Sequence, residues 1–198
     1  MCGIVGGVTN KNITPLLLEG LNRLEYRGYD SSGLIVLSPQ NSFDRERSLG
    51  KVSNLEKNLK SRSKKINGNI GIAHTRWATH GEPSSSNAHP HISKNNVSVV
   101  HNGIIENYIE LKNNQLIQGY EFKSETDTEV IAHAIDSELQ LNISLIESVK
   151  KAVSSLKGSY GLGIISSKFP DRIIATRIGS PLLIGIGENG NYIASDQI

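Results

Sequence analysis

The 198 residues suffice for one domain with a substantial core and are few for two. Lys plus Arg number 21 against 19 Asp plus Glu, and a net charge of +2 argues against capture by nucleic acid or an anionic membrane. A single cysteine excludes an internal disulfide and a multi-cysteine metal site, no apolar run is long enough to span a bilayer, and no secretory pattern opens the chain, so the expected compartment is the reducing cytoplasm.

In chain order, the apolar run at 4–8 reads as a buried strand. Thr14 reads as the N-cap of a helix with Pro15 in its first turn, Leu17, Gly20, Leu21 and Leu24 on one face, and a stop near Arg27-Gly28. Residues 33–37 read as a second strand, and Val52, Leu55, Glu56 and Leu59 as a short amphipathic helix. The basic stretch Lys60, Arg62, Lys64, Lys65 is interleaved with Ser and reads as a solvated loop or helix end rather than a phosphate site. Strands over 70–74 and 97–101 flank a long polar segment, 76–96, of the kind that carries function. A helix is expected from Thr126, with Thr126 and Glu129 at capping-box spacing, and another over 145–156. The tail offers short strands at 160–165, 172–176, 182–186 and 192–194, an antiparallel meander. The sum is an α+β domain without repeats or an interdomain linker.

Four features carry chemistry, each beside a plainer structural alternative. Cys2 leads straight into the first strand. With Met1 excised, it unites a thiol of pKa about 8.5 with an α-amine of pKa about 7.7–8.0, a nucleophile and a base on one residue. Position alone favours a small buried thiol. Five of the six histidines (His74, His80, His89, His91, His101) lie between 74 and 101. Their spacing suits no metal site, which leaves a polar pocket or backbone-satisfying roles at strand ends. Asn102-Gly103 offers a side-chain amide and a backbone N–H as an oxyanion hole, while local sequence favours a hairpin turn. Arg76 and Asp127 could read the carboxylate and ammonium of an α-amino acid; taken singly, a loop charge and a first-turn acid are the stronger readings.

Six segments then act together: 1–6 (MCGIVG), 24–31 (LEYRGYDS), 74–83 (HTRWATHGEP), 87–91 (NAHPH), 101–107 (HNGIIEN) and 124–129 (SETDTE). They resemble the glucosamine-6-phosphate synthase family, in its glutaminase half, a class II glutamine amidotransferase domain, over essentially the whole chain. The resemblance implies an N-terminal-nucleophile hydrolase fold, an αββα sandwich of antiparallel sheets. It implies Cys2 as nucleophile with its own amine as base, Asn102 and Gly103 as the oxyanion hole, and Arg27 and Gly28 holding the N-terminus. Arg76 and Asp127 would bind the α-groups of glutamine, Thr79, His80 and His89 would line the pocket, and Trp77 would gate ammonia. No cofactor or metal is implied.

The chain ends at Ile198, short of the family's domain end. The expectation is an incomplete glutaminase domain over 1–198, truncated at its C-terminus, without the sugar-phosphate isomerase domains. Fructose 6-phosphate would then be met only through those domains, which would also make the family's homodimer and leave this fragment monomeric. The rivals are another class II amidotransferase and a non-catalytic glutamine sensor, the latter favoured by a retained Met1.

Overall fold

A computed structural model describes residues 2–197. Met1, whose removal would free the Cys2 amine, lies outside the described residues, as does Ile198. Along the chain run β1 (Gly3–Thr9), α1 (Thr14–Leu24), β2 (Ser31–Leu37), β3 (Phe43–Leu49), α2 (Val52–Ser61), β4 (Ile70–Arg76), β5 (His91–Ser93), β6 (Val97–Ile105), α3 (Tyr108–Ile117), α4 (Glu129–Leu139), α5 (Leu145–Ser154), β7 (Gly158–Ser166), β8 (Phe169–Ile178), β9 (Leu183–Gly187) and β10 (Gly190–Ala194). The strands make two antiparallel sheets, ordered β3-β2-β4-β1-β10-β9 and β5-β6-β7-β8.

Period-two alternation decides which layer each side chain enters. In β1, Ile4 and Val8 pack between the sheets while Val5 faces the helices. In β4, Ile70 and Ile72 point into the seam and Ala73 points away from it. In β6, Val100 enters the seam, whereas Val97 and Val99 lie under α4 and α5. Leu17, Leu21 and Leu24 of α1, with Val52 and Leu55 of α2, seal the outer face of the larger sheet. Val130, Ile131 and Ile135 of α4, with Leu145 and Val149 of α5, seal the smaller one. The result is helix, sheet, sheet, helix, the four-layer sandwich that the resemblance implies.

Local chemistry corrects several readings. Thr14 is the first helical residue rather than the cap; Asn12 Oδ1 accepts from its N–H at 3.2 Å, and its hydroxyl donates to the Ile66 carbonyl. The capping box at Thr126 does not form. α4 starts at Glu129, whose carboxylate turns back to accept from the N–H groups of Lys123 and Ser124. β6 runs straight through Asn102-Gly103, so these residues make no hairpin turn. The tail is not one meander: β7 and β8 pair in the small sheet, and β9 and β10 in the large one. β3, β5 and α3 were not anticipated. β3 is a charged edge strand (FDRERSL), and α3 buries only Gln115, so neither shows an apolar period.

Ile72 is fully buried in the seam. Ile72→Ala is expected to cost about 2–5 kcal/mol, read as a lower urea midpoint.

Candidate active site

At one end of the seam the filling changes from apolar to polar. His74 and Asn102 follow Ile72 and Val100 at the next same-face positions of β4 and β6, and Cys2 lies two residues before Ile4, just ahead of β1. A cavity of about 250 Å³ opens there, its wall including Cys2, Arg76, Thr79, His80, Asn102 and Asp127. A larger groove of about 630 Å³ lies between α1 and the β9–β10 hairpin, but it holds neither the thiol nor the histidines. Chemistry, not size, selects the smaller one.

Cys2 is fixed through its own backbone. Its carbonyl oxygen accepts from Arg27 Nε at 3.1 Å and from Asn102 Nδ2 at 2.9 Å. Its Sγ accepts the Trp77 backbone N–H at 3.2 Å. Burial pushes the thiol pKa up; the Trp77 N–H and the nearby Arg76 charge oppose that rise. Arg27 is itself buried and pairs with Asp196 at 2.7 Å, a carboxylate that also accepts from the Tyr26 hydroxyl. Gly28 stands behind the cavity: a Cβ there would lie 2.8 Å from both the Arg76 carbonyl carbon and the Trp77 nitrogen. Any side chain at 28 would displace the N–H that meets Sγ.

Asn102 has an orientation set by its neighbours. His74 Nε2 lies 3.0 Å from both the His101 carbonyl and Asn102 Oδ1. Both are acceptors, so Nε2 carries the proton, and the Asn102 oxygen faces His74 while its nitrogen faces Cys2. One Nδ2 hydrogen is used by the Cys2 carbonyl; among the described residues the second has no partner. Gly103 follows with φ +135°, and a Cβ there would sit 2.0 Å from the Ser159 carbonyl oxygen, so only glycine fits.

Arg76 ends β4 with its guanidinium wrapped by a loop. It donates to the carbonyls of His80, Gly81 (3.0 Å) and Glu82 (3.5 Å). Asp127 Oδ2 accepts the Ile105 N–H at 2.8 Å, and its Oδ1 lies 3.9 Å from His101 Nδ1. Thr79 and His80 line the cavity from the loop, His80 edge-on to Tyr108. Trp77 is 47% exposed at the rim, edge-on to Tyr29. The structure thus brings the expected residues to one cavity, Gly28 lying just behind it. The sequence reading missed Asp196, the Trp77 N–H as the partner of the thiol, and Thr126 and Thr128 in the wall. Asp196 lies 169 residues from Arg27, and no local pattern signals such a pair.

The histidines form a packed, buried group. His89 stacks on His74 at 4.2 Å between centroids and accepts the His101 N–H at 3.3 Å. His101 meets the Thr128 hydroxyl, and His91 the Thr126 hydroxyl. Burial pushes His74 down to about 3 and holds His89 and His91 well below their ordinary value; His101 is lowered too. All are neutral at pH 7. Among the described residues no group of three or more His, Cys, Asp or Glu is placed to hold a metal ion, and no helix is long and apolar enough to cross a membrane.

Comparison with known proteins gives concordant matches. The family model described as the glutamine amidotransferase domain matches residues 74–197. The chain is 55% identical over 198 residues to the glutamine–fructose-6-phosphate aminotransferase (isomerizing) of Pseudomonas putida, covering all of this chain and 32% of that protein. The chain therefore spans about a third of the curated relatives it matches. Among solved structures, the glutamine phosphoribosylpyrophosphate amidotransferase of B. subtilis, complexed with ADP and GMP, superposes with a TM-score of 0.82 at 26% identity, covering 98% of this chain and 42% of that one. A glutamine aminotransferase class-II domain protein of Silicibacter pomeroyi shares the fold, with a TM-score of 0.65 at 13% identity over 98% of this chain and 88% of that one.

The buried histidines set a pH dependence. Their folded pKa values lie below the unfolded value of about 6.5, so the unfolded chain binds more protons in between. The stability they permit is complete above pH about 6.5 and is lost as pH falls toward the folded values, at up to about 1.4 kcal/mol per pH unit for each histidine. The melting temperature should drop steeply between pH 6.5 and 5; a flat profile there would contradict neutral burial.

Proposed function

The chain belongs to the glutamine amidotransferase domain family, and we propose that it hydrolyses the side-chain amide of glutamine to glutamate and ammonia, with Cys2 as nucleophile. The observation that carries this reading is the placement of the Cys2 thiol, the Asn102 amide, Arg76 and Asp127 around one cavity of amino-acid size.

Arg76 pairs with the glutamine α-carboxylate and Asp127 with its α-ammonium, which presents the side-chain amide to Sγ. The free α-amine of a processed Cys2 takes the thiol proton, and the thiolate attacks the amide carbon. The oxyanion is held by the second Nδ2 hydrogen of Asn102 and the N–H of Gly103. As the tetrahedral species collapses, the C–N bond breaks and nitrogen leaves as ammonia, carrying a proton from the α-ammonium of Cys2. Water then attacks the γ-glutamyl thioester, releasing glutamate and restoring the thiol. Arg27 fixes the Cys2 backbone during these steps, and Gly28 supports the Arg76–Trp77 peptide. Thr79, His80 and His89 shape the pocket, and Trp77 stands at its rim as the gate for ammonia. No metal or cofactor enters the scheme.

The relatives are named for transfer of the glutamine nitrogen to fructose 6-phosphate. We assign this chain the ammonia-supplying role in the same reaction, as the glutaminase domain of a longer cytoplasmic enzyme whose further domains would bind the sugar phosphate and form the homodimer. Delivery to a phosphoribosyl acceptor is less favoured, since identity to the B. subtilis enzyme is 26% against 55% for the aminosugar relative. A non-catalytic glutamine sensor would not require a thiol met by an N–H at 3.2 Å.

Glutamate release measures the proposal. Cys2→Ala should abolish it while glutamine still binds, and Asn102→Ala should lower turnover on the order of 10²–10³. Substantial turnover by Cys2→Ala would overturn the assignment.

A further inference from the structure

Asn87 lies outside the cavity wall, yet it is 2% exposed and every polar group of its side chain is engaged. Its Nδ2 donates to the Glu82 carbonyl at 2.9 Å and to Glu125 Oε2 at 3.0 Å. Its Oδ1 accepts the Glu125 backbone N–H at 2.9 Å. Its own N–H is held by Ser84 Oγ at 3.1 Å. An amide side chain has two N–H donors and one carbonyl, so this residue is committed entirely to joining the loop at Glu82 to Glu125, which lies 38 residues beyond Asn87 in sequence.

Those two segments carry the two charges of the amino-acid site. Glu82 belongs to the loop whose carbonyls cage the Arg76 guanidinium, and its carbonyl faces Arg76 Nη1 as well as Asn87. Glu125 stands two residues before Asp127 in the turn that leads into α4. The smaller sheet contributes a second tie to Asp127, the Ile105 N–H, but that bond does not reach the Arg76 loop. The side chain of Asn87 does.

We infer that Asn87 is a positioning residue that sets the spacing between Arg76 and Asp127, and so makes the site selective for an intact α-amino acid over analogues lacking one α-group. The inference rests on the proposed roles of those two residues. Replacing Asn87 by Ala leaves the Glu125 N–H without its partner and the Glu82 carbonyl with only the longer 3.5 Å contact from Arg76, and lets the two segments drift apart. Displacements of about 1 Å are costly for a doubly charged ligand read at both ends. The thiol, Asn102 and Gly103 do not touch Asn87, so bond-breaking should be spared.

The test uses the chain with Cys2 as its first residue, assayed with L-glutamine and with glutaramate, the analogue that keeps the carboxylate and side-chain amide but lacks the α-amine. Asn87→Ala should raise KM for L-glutamine by about tenfold or more with kcat little changed, while KM for glutaramate moves less, so that the preference narrows. A kcat falling equally for both compounds, or an unchanged preference, would overturn the inference. Should Asn87→Ala not fold, Glu125→Ala at an exposed position removes one strand of the bridge. It also removes a negative charge near the substrate carboxylate, which alone would lower KM. A raised KM supports the bridge, and an unchanged or lowered KM refutes it. Absence of glutamine hydrolysis by the parent chain would instead sink the functional reading itself.

Discussion

The arrangement depends on how Cys2, at the N-terminal end of the described residues, is held. A chain terminus is the part of a domain most prone to fraying, since it has neighbours on one side only. Here the Cys2 carbonyl is gripped by Arg27 and Asn102, and its sulfur meets the Trp77 N–H. The grips come from sequence positions 25, 100 and 75 residues away. The remainder of the fold keeps those three groups in register. β1 lies beside β4, which ends on Arg76 and leads directly into Trp77, and across the seam from β6, which delivers Asn102. Ser195 adds a further clasp, its hydroxyl accepting the Ile4 N–H while its own N–H donates to the Ile4 carbonyl.

The site exists because the seam between the sheets is apolar along most of its length and polar at one end. Ile4, Ile72 and Val100 supply cohesion. Two residues further along β4 and β6, His74 and Asn102 replace them, and Cys2 stands two residues before Ile4, just ahead of β1. Buried polar groups seek partners, and the histidines bond to one another's backbone, to Asn102 and to Thr128 as neutral donors and acceptors rather than as charges, with His74 Nδ1 left without a partner among the described residues. Arg76 and Asp127 bring opposite charges to the cavity wall beside them, and the protonation of His74 Nε2 fixes which end of the Asn102 amide points at Cys2.

Much of this was legible in the residues. The apolar runs marked β1, β2, β4, β6 and β7, and the leucine stripe marked α1, because burial on a face imposes a period. The edge strand β3 was hidden by charges at alternate and adjacent positions, and α3 by its lack of an apolar stripe. Asn102-Gly103 looked locally like a turn; only pairing with β7 keeps it extended. For Cys2, Arg76 and Asp127 the plain structural reading was the better one singly, and motif resemblance across the chain joined them. Asn87 and Asp196 could not be found this way. Each acts on a partner tens of residues or more distant, and an asparagine in a loop or an aspartate near a strand end has many ordinary reasons to be there.

In the proposed reaction an N-terminal Cys2 thiol takes up the γ-glutamyl group. The most direct measurement is rapid acid quenching of the processed chain during turnover with glutamine, followed by intact-mass and peptide mass spectrometry. A transient adduct of one glutamyl group is expected, confined to the peptide that begins at Cys2 and absent from chains that retain Met1. An adduct on any other peptide, or glutamate formation with equal efficiency by chains that retain Met1, would contradict it.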